Sequence, residues 1–442
     1  MNISKNNLYI KTASIIIIAL LLLIPAAMIR SLIHEREQYY REAVREVSAK
    51  WSTDQTITGP VLTIPLERYA TKGNEGDMNM RQLWVREYMH LMPETLNISG
   101  NINPSTRKRG IYKVVLYQTD LLLEGSFNLQ SLDLEASNNV RYFPEEAFIS
   151  LGMNDLRGIE NQLALNWNGE MLDFNPGLPI NDLMVNGIHV AVKIDSEQAL
   201  RPSFSLQLKL KGSQQLMFAP VGKTTSVQLN SSWSDPSFTG SFLPDDRKVD
   251  DQGFRAQWQI THLNRSFPQQ WIGSKYDVSQ YAFGLDLLLP VDGYQKTYRT
   301  VRYAALFIGF TFLVFFFTEV LKRTFIHPVQ YTLVGLALVV FFTLLLSVSE
   351  HLHFNLAYII AAMSTLALVG LYVHAILRNR ALTWLISGLL LLLYAFIFVI
   401  LQLQDLALLA GSIGIFILLA TVMYLSRKVD WYRINQQDRQ SD

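Results

Sequence analysis

The sequence predicts a multi-pass α-helical membrane protein that carries one large β-rich, sandwich-like domain between its first and second spans. One apolar stretch lies near the start of the 442-residue chain, and five more crowd its last third. The segment between them is rich in Pro, Gly and β-branched residues. Each stretch is long enough to cross a bilayer, for which about 20 apolar residues suffice. The six predicted spans are residues 12–33, 301–321, 329–348, 356–377, 382–401 and 406–425.

Lys and Arg residues near the helix ends predict the orientation of these spans, because positive charge in short loops is retained on the cytoplasmic side. Basic residues precede the first span and follow the second, fourth and sixth, whereas connectors 349–355 and 402–405 contain none. We therefore expect tails 1–11 and 426–442 to be cytoplasmic. Residues 34–300 are expected on the opposite side.

Three basic residues, Lys296, Arg299 and Arg302, lie on that far side just before the second predicted span. They run against the charge rule for short loops. Long domains translocate largely regardless of charge, so these residues weaken the predicted orientation little.

A cleavable signal peptide is the alternative interpretation of residues 12–33, because Lys5 and Lys11 precede the apolar run. The run is longer than the apolar region of a typical signal peptide, and a charged stretch begins at Arg30. These features favour an uncleaved anchor. The other five spans would place residues 34–300 outside in either case.

The insert is predicted to begin with a helix over residues 34–51, because Tyr40, Val44, Val47 and Trp51 fall on one helix face. From residue 59 the apolar period becomes that of strands, which are separated by turn residues. Repeated short strands of this kind indicate an antiparallel sandwich or barrel, or two of them, with a candidate boundary at 172–182. The predicted strands are 61–66, 83–91, 110–117, 120–128, 188–192, 204–210, 225–233, 253–260 and 281–289.

Composition and motif content exclude several classes of function. The net charge is +1, and Asp and Glu outnumber Lys and Arg in residues 34–300, so nucleic acid is not an expected partner. The chain has no Cys, which rules out disulfides, a thiol nucleophile and Cys-based metal sites. It also lacks the P-loop, the His-Glu-x-x-His and the Gly-x-Ser-x-Gly motifs. We therefore expect no cofactor.

Ionisable residues cluster at the ends of the predicted spans, where charge in hydrocarbon is costly and often functional. Glu319 lies near the cytoplasmic end of the second span, within reach of Lys322 and Arg323. An ion pair there is favoured over a proton relay. Apolar residues fill almost every mid-bilayer position, so neither a channel nor a carrier is indicated.

At the other membrane face, Glu350, His351 and His353 end the third span. These residue types bind metals, but two His at i and i+2 diverge on a helix. An interfacial hydrogen-bond cluster is therefore the favoured interpretation over a metal or proton site. The three residues remain candidate binding residues.

In the exterior domain, the candidate binding residues are Trp233, Asp235, Phe238 and Arg157. Aromatic, Asp and Arg side chains of this kind bind glycans or peptides by stacking and charge-assisted hydrogen bonds. The alternative is that tight turns and aromatic core packing account for them, and the local Pro and Gly content favours that alternative.

Several segments together resemble a known family. They are residues 109–112, 155–159, 233–244 and 253–258, with His327-Pro328-Val329-Gln330-Tyr331, Ser349-Glu350-His351 and Asp430-Trp431-Tyr432. These segments resemble the CreD family of Gram-negative inner membrane proteins. The resemblance runs from the first span to Tyr432 and so covers nearly the whole chain.

The resemblance implies an inner membrane protein with a periplasmic domain, associated with cell envelope integrity and belonging to the output of the Cre two-component system. It brings no established enzymatic activity and no catalytic residues to assign to this sequence. Two hypotheses follow. The first is a non-catalytic envelope protein, anchored in the lipid bilayer, whose domain contacts a periplasmic or cell-wall partner. The alternative is a membrane enzyme or carrier that handles an envelope component at the periplasmic interface through Glu350, His351 and His353.

Overall fold

The chain divides into two compact units. The computed structural model describes residues 5–72, 81–130, 139–194, 201–287, 292–322, 325–403 and 407–427. One unit combines Met1–Tyr40 with Pro290–Asp442, and the other is Arg41–Leu289. We call them the helical unit and the β-rich unit. Residues 1–4, Arg323, the tail from 428 onward and the motif 430–432 lie outside the described residues.

Seven α-helices occur in the described residues. They are α1 (Lys5–Trp51), α2 (Asp292–Arg302), α3 (Ala304–Lys322), α4 (Pro328–Ser349), α5 (Phe354–Leu377), α6 (Arg380–Gln402) and α7 (Ala407–Ser426). Among them α1, α3, α4, α5 and α6 are long and apolar enough to cross a membrane. The multi-pass fold class is thus confirmed, with one such helix before the β-rich unit and four after it.

The sixth predicted span corresponds to α7, whose apolar part within the described residues is the shorter segment Gly411–Thr421. The sixth crossing therefore stays a prediction. α1 continues without interruption to Trp51, which confirms the helix expected over residues 34–51.

Helix α2 belongs to the helical unit, although it begins within the segment expected to form the exterior domain. The expected boundary at residue 300 between that domain and the membrane spans stays a prediction. Helix α2 is amphipathic, because Thr297, Thr300 and Val301 are fully buried while Arg302 is exposed. A separate helix, α3, begins at Ala304. The apolar period alone did not separate these two helices, since Val301 and Tyr303 extend the apolar run.

An aromatic cluster forms the centre of the helical unit. The Tyr394 ring lies 4.8 Å from that of Phe307 and 4.9 Å from that of Phe341, measured between centroids. The Tyr358 hydroxyl donates a 2.8 Å hydrogen bond to the Tyr394 carbonyl oxygen. Close packing and interhelical hydrogen bonds of this kind associate helices in lipid, where burial of apolar surface from water is not the driving force.

The described part of the β-rich unit contains 18 strands, a finding that confirms the β-rich class. They are β1 (Gln55–Lys72), β2 (Arg81–Leu91), β3 (Thr95–Arg109), β4 (Tyr112–Ser126), β5 (Val140–Tyr142), β6 (Phe148–Gly152), β7 (Ala164–Trp167), β8 (Glu170–Asp173), β9 (Asn175–Pro176), β10 (Gly187–Ala191), β11 (Ser203–Ser213), β12 (Gln215–Phe218), β13 (Thr224–Ser231), β14 (Pro236–Gly240), β15 (Asp246–Asp250), β16 (Gly253–Thr261), β17 (Gln270–Ile272) and β18 (Phe283–Leu287).

The strands form two sheets, counted over the described residues. The first has ten strands, in the order β14-β18-β12-β1-β6-β10-β9, with β2 and β5 paired to β1 and β17 paired to β2. The second has eight, in the order β15-β16-β13-β3-β4-β11-β7-β8. One continuous hydrophobic core contains residues of both sheets. The candidate boundary at 172–182 lies within this unit.

Two pairings depart from the expected antiparallel arrangement. β1 runs parallel to β12, and β3 runs parallel to β13. In addition, the two strands predicted over 110–117 and 120–128 are a single strand, β4. A parallel pair requires a long connection between its strands, and alternation of apolar residues along one strand does not reveal its partner.

Strand β1 is the hub of the first sheet. It is buried from Ile57 to Leu66, and such a continuous run is typical of a strand covered on both faces. Gly59 adopts φ +117, and a Cβ at this position would lie 2.7 Å from the Ser150 carbonyl oxygen. Here the pairing of β1 with β6 shifts register between Thr58 and Val61. Only glycine fits this close approach.

Candidate functional sites

Asp155 and Arg157 form a hydrogen-bonded pair beside the C-terminal end of α1, within the β-rich unit. Asp155 Oδ1 accepts from Arg157 Nε at 2.9 Å, and Oδ2 accepts from Nη2 at 2.7 Å. Arg157 Nη1 also donates to the Ala49 carbonyl oxygen at 2.7 Å. Arg157 thus supplies a hydrogen-bond donor to a backbone carbonyl in the last turn of α1, where cations are favoured. Its hydrogen bonds hold the pKa of Asp155 below its ordinary value.

Buried polar residues pack closely around Gln55 and Gly158, next to this pair. Gln55 Nε2 donates to the Ser52 hydroxyl and to the Asp155 carbonyl oxygen, each at 2.8 Å. A Cβ on Gly158 would lie 2.8 Å from Gln55 Nε2 and 2.4 Å from the Lys211 carbonyl oxygen. The segment 155–159, which carries part of the family resemblance, therefore has a packing role in the structure.

Trp233, Ser234 and Asp235 lie in one turn, which we call the Trp233 turn. Its contacts are also structural. Trp233 Nε1 donates to the Asp235 carbonyl oxygen at 3.1 Å, and the Ser234 hydroxyl bonds Asp235 Oδ2 at 3.0 Å. Phe238 lies edge-on to Trp258, with ring centroids 5.8 Å apart. These contacts join Trp233 and Asp235 within one turn and direct Phe238 toward the core.

A polar cavity of about 680 Å³ lies in the β-rich unit near the ends of β1, β6 and β12. We call it the polar cavity. Its charged lining residues are two carboxylates, Asp182 and Asp277, and no Lys or Arg lines it among the described residues. Its lining also includes the amide side chains of Asn154, Asn181, Asn186 and Gln215 and the aromatic ring of Tyr276.

Hydrogen bonds position several side chains of the polar cavity. Asn186 Nδ2 donates to the Asn154 carbonyl oxygen at 3.3 Å, and Asp277 Oδ1 accepts from the Ser279 backbone N–H at 2.9 Å. The Tyr276 ring, 38% exposed, packs edge-on against Trp271 at 5.3 Å. Fixed amides, carboxylates and an aromatic ring form a surface that suits a neutral polar ligand with several hydroxyl or N–H donors.

His90 lies behind this cavity and is buried. Its Nε2 is 3.4 Å from Asp182 Oδ2, and its Nδ1 is 3.1 Å from the Thr63 hydroxyl. Burial lowers the pKa of His90, and the nearby Asp182 carboxylate offsets only part of that effect. Since this pKa lies below its ordinary value, His90 is neutral at physiological pH.

Glu350, His351 and His353 have separate contacts in the helical unit. Glu350 Oε1 lies 3.5 Å from Arg36 Nε and accepts from the Tyr294 hydroxyl at 3.5 Å. His351 Nδ1 lies 3.2 Å from the Ser347 carbonyl oxygen, and His353 is the exposed residue that precedes α5. In the described part of the chain, no group of three His, Cys, Asp or Glu side chains is arranged to hold a metal ion.

Lys11 and Glu319 form an ion pair in the helical unit. The pairing of Glu319 with Lys322 or Arg323, which the sequence indicates, stays a prediction, because Arg323 lies outside the described residues. The side chains of Lys11 and Glu319 are 12% and 4% exposed. The Tyr331 hydroxyl donates to Glu319 Oε2 at 3.2 Å, and Lys11 Nζ also donates to the Ile326 carbonyl oxygen at 2.7 Å. Lys11 is 308 residues from Glu319 in the chain, so no local pattern could have identified the pair.

The fold and these sites define a membrane protein that crosses the bilayer several times and carries a large two-sheet β-rich unit. The family model described as "Inner membrane protein CreD" matches residues 7–432. The "Inner membrane protein CreD" of Escherichia coli (strain K12) is 34% identical over 432 residues, which cover 97% of this chain and 94% of that protein. The chain belongs to the CreD family, which confirms the resemblance, and it is an inner membrane protein.

Similarity to solved structures is much weaker. Two crystal structures of an M1 zinc metallopeptidase from Deinococcus radiodurans, one of them a mutant, match 38% of this chain and 38% of their own. Both are 10% identical, with TM-scores of 0.20 and 0.19. Such scores are too low to define a shared fold.

Proposed function

We propose that this protein maintains cell envelope integrity by binding a cell-wall glycan at the polar cavity of its β-rich unit. In this proposal the β-rich unit faces the periplasm, both termini are cytoplasmic, and the protein acts without catalysis. The observation that carries the proposal is the polar cavity itself, where fixed amides and carboxylates surround Tyr276. Such a combination of acceptors, donors and one aromatic face suits a hydroxyl-rich ligand.

The charges of the cavity favour a glycan over an anionic ligand. Asp182 and Asp277 present carboxylate oxygens that accept hydrogen bonds from sugar hydroxyls. A phosphate or carboxylate ligand would meet these two negative charges without a basic side chain from the cavity lining. A neutral sugar avoids that repulsion.

The orientation can be tested with single cysteines, because the chain contains none of its own. Lys275→Cys lies on the exposed surface of the β-rich unit, and Arg427→Cys follows α7. In intact spheroplasts, a membrane-impermeant maleimide is expected to label Lys275→Cys. Arg427→Cys should react only after the membrane is permeabilised. The reverse pattern would refute the proposed orientation.

Glycan binding can be tested by co-sedimentation of the full-length protein, purified in a neutral detergent, with isolated peptidoglycan sacculi. We expect Tyr276→Ala and Asp277→Asn to lower the bound fraction, because they remove the aromatic face and one charged acceptor. Asp235→Asn is the matched control, since it makes the same change at the Trp233 turn. Failure of the wild-type protein to sediment would contradict the proposal, and selective loss in Asp235→Asn would move the binding surface to the turn.

The proposal also includes control by the Cre two-component system, as the family resemblance implies. Transcript levels of the gene are expected to rise when the sensor is activated and to stay low when its response regulator is deleted.

A separate experiment connects the cavity to the physiological role. It is an envelope-stress assay of a strain that lacks the gene for this protein, complemented with wild type or with Tyr276→Ala. Full complementation by Tyr276→Ala would argue against the cavity as the active surface.

A further inference from the structure

A cavity of about 480 Å³ in the helical unit belongs to none of the sites described above. α1 and α2 form its walls. Three arginines, Arg30, Arg299 and Arg302, line it together with one carboxylate, Glu37. We call it the arginine cavity. Its other lining residues are Ser31, Ile33, His34, Tyr294, Gln295 and Tyr298.

Helix periodicity explains why these side chains converge. Residues three or four positions apart lie on the same helix face, as do Arg30 and His34 on α1 and Arg299 and Arg302 on α2. The opposite face of α2 is buried within the helical unit. Its buried residues are Thr297, Thr300 and Val301.

The arginine cavity carries excess positive charge. Among the described residues, none of its three arginines forms an ion pair. The neighbouring Arg36 is different, because it pairs with Glu350 at 3.5 Å. The Arg302 guanidinium lies 5.0 Å from the centroid of the Tyr298 ring, which holds it beside the cavity. Three guanidinium groups facing one carboxylate attract an anion.

The position of the arginine cavity along the helices matches the level of lipid headgroups. The predicted first span ends at Ile33, shortly after Arg30, and the membrane helix α3 begins two residues after Arg302. Headgroup phosphates lie where apolar segments of a membrane protein end. Ile24 and Met28, which precede Arg30 on α1, are 58% and 67% exposed, so apolar surface adjoins the cavity.

We propose that the arginine cavity binds the phosphate group of an anionic amphiphile. Planar guanidinium groups hold phosphate through paired hydrogen bonds, and the Ser31 and Tyr298 hydroxyls offer further donors. The volume suits a phosphate with adjoining headgroup atoms. The inference uses residues of the helical unit alone, so it stands or falls independently of glycan binding. It also gives a role to Arg299 and Arg302, which oppose the charge rule for short loops.

The test is a titration of the full-length protein, purified in a neutral maltoside detergent, with short-chain phosphatidic acid. Short-chain phosphatidylcholine is the comparison probe, because its choline cation offsets the phosphate charge. We expect Arg299→Gln/Arg302→Gln to weaken binding of phosphatidic acid by about tenfold or more. The control Lys108→Gln/Arg255→Gln removes two exposed charges from the β-rich unit and should bind as the wild type does. Equal affinities of the two double variants, or equal binding of both lipids, would overturn the proposal.

A second variant, Arg299→Lys/Arg302→Lys, keeps the charge and the helix propensity, so it remains informative if the Gln variant does not fold. It should bind more weakly than wild type, because Lys lacks the planar fork. Wild-type affinity in this variant would reject the paired hydrogen bonds. Competition with inorganic pyrophosphate identifies the source of the phosphate. Displacement of the lipid by an equimolar amount of pyrophosphate would overturn the assignment to an amphiphile in favour of a soluble phosphate compound, and absence of displacement supports a lipid headgroup.

Discussion

Arg157 connects Asp155 to the last turn of α1, because its guanidinium donates both to the Asp155 carboxylate and to the Ala49 carbonyl oxygen. Asp155 in turn accepts a 3.2 Å hydrogen bond from the Thr53 backbone N–H. The exit of the helix and the start of β1 thus share one buried carboxylate. The contacts observed for Arg157 are structural, and a binding role for this largely exposed side chain stays a prediction.

Replacing Asp155 by Ala should destabilise the β-rich unit, since it leaves the Thr53 N–H without its buried partner. We expect the free energy of unfolding to fall by about 2 kcal/mol. Urea unfolding of the purified protein, followed by tryptophan fluorescence, measures this change. Asp173→Ala, at an exposed carboxylate, is the control and should have little effect. The folded pKa of Asp155 is depressed, so its contribution to the free energy of unfolding is fully present above its ordinary pKa of 3.8 and is lost as the pH falls through the folded pKa.

The Lys11–Glu319 pair predicts a non-additive pair of mutations. Glu319→Gln leaves a buried ammonium uncompensated, and Lys11→Met leaves a buried carboxylate, so each alone should cost about 3–5 kcal/mol. The double variant should be less destabilised than the sum of the two, because it leaves neither charge. Thermal unfolding in detergent supplies the double-mutant cycle. Purely additive effects would mean that the two groups do not interact in solution.

His90 predicts a pH dependence of stability. Its pKa is lowered in the folded protein, so the unfolded chain binds the proton more tightly. The contribution of His90 to the free energy of unfolding should be fully present above its pKa in the unfolded chain, about 6.5. It should decline as the pH falls from there to the folded pKa. Unfolding free energies measured across this window should be flatter in His90→Gln. Identical slopes in the two proteins would show that His90 is not the titrating group.

Arg265 is a buried guanidinium that donates to backbone carbonyls, including Val221 at 3.2 Å. Burial lowers its pKa to about 10, so it stays charged at neutral pH. Arg265→Lys should lower the unfolding free energy by about 2 kcal/mol, because a single ammonium cannot reach the same carbonyls. Arg255→Lys, at an exposed position in β16, is the matched control. Equal unfolding free energies of the two variants would contradict a stabilising role of the Arg265 hydrogen bonds.

The sequence was sufficient for features that depend on local periodicity and failed for those that depend on distant pairing. Apolar length identified the membrane helices, and alternation identified most long strands. β3 was missed because Asn97, Asn101, Asn103 and Pro104 interrupt its pattern, although Leu96, Ile98 and Ile102 are buried. Its parallel pairing with β13 joins segments more than a hundred residues apart, which no local pattern encodes.

The candidate sites show the same division. The Trp233 turn was selected because Pro, Gly and aromatic residues are dense there, and its hydrogen bonds agree with the alternative of turn and core packing. The sequence does not reveal the polar cavity, because its lining residues come from separate segments of the chain. These segments contribute, among others, Thr56, Asn154, Asp182, Gln215 and Asp277. Each of these is an ordinary polar residue in its own surroundings. Only the folded chain assembles them.

The cluster at the end of α4 separates the remaining hypotheses about function. Glu350 contacts Arg36 and Tyr294, so Glu350→Gln should lower the thermal stability of the helical unit by removing the charge that Arg36 faces. His351→Ala/His353→Ala should leave stability nearly unchanged, because both side chains are exposed. If the protein acts without catalysis, this double His variant should also complement a deletion strain in an envelope-stress assay. Loss of complementation, with the protein present at wild-type levels in the membrane, would instead favour an enzyme or carrier that uses these histidines.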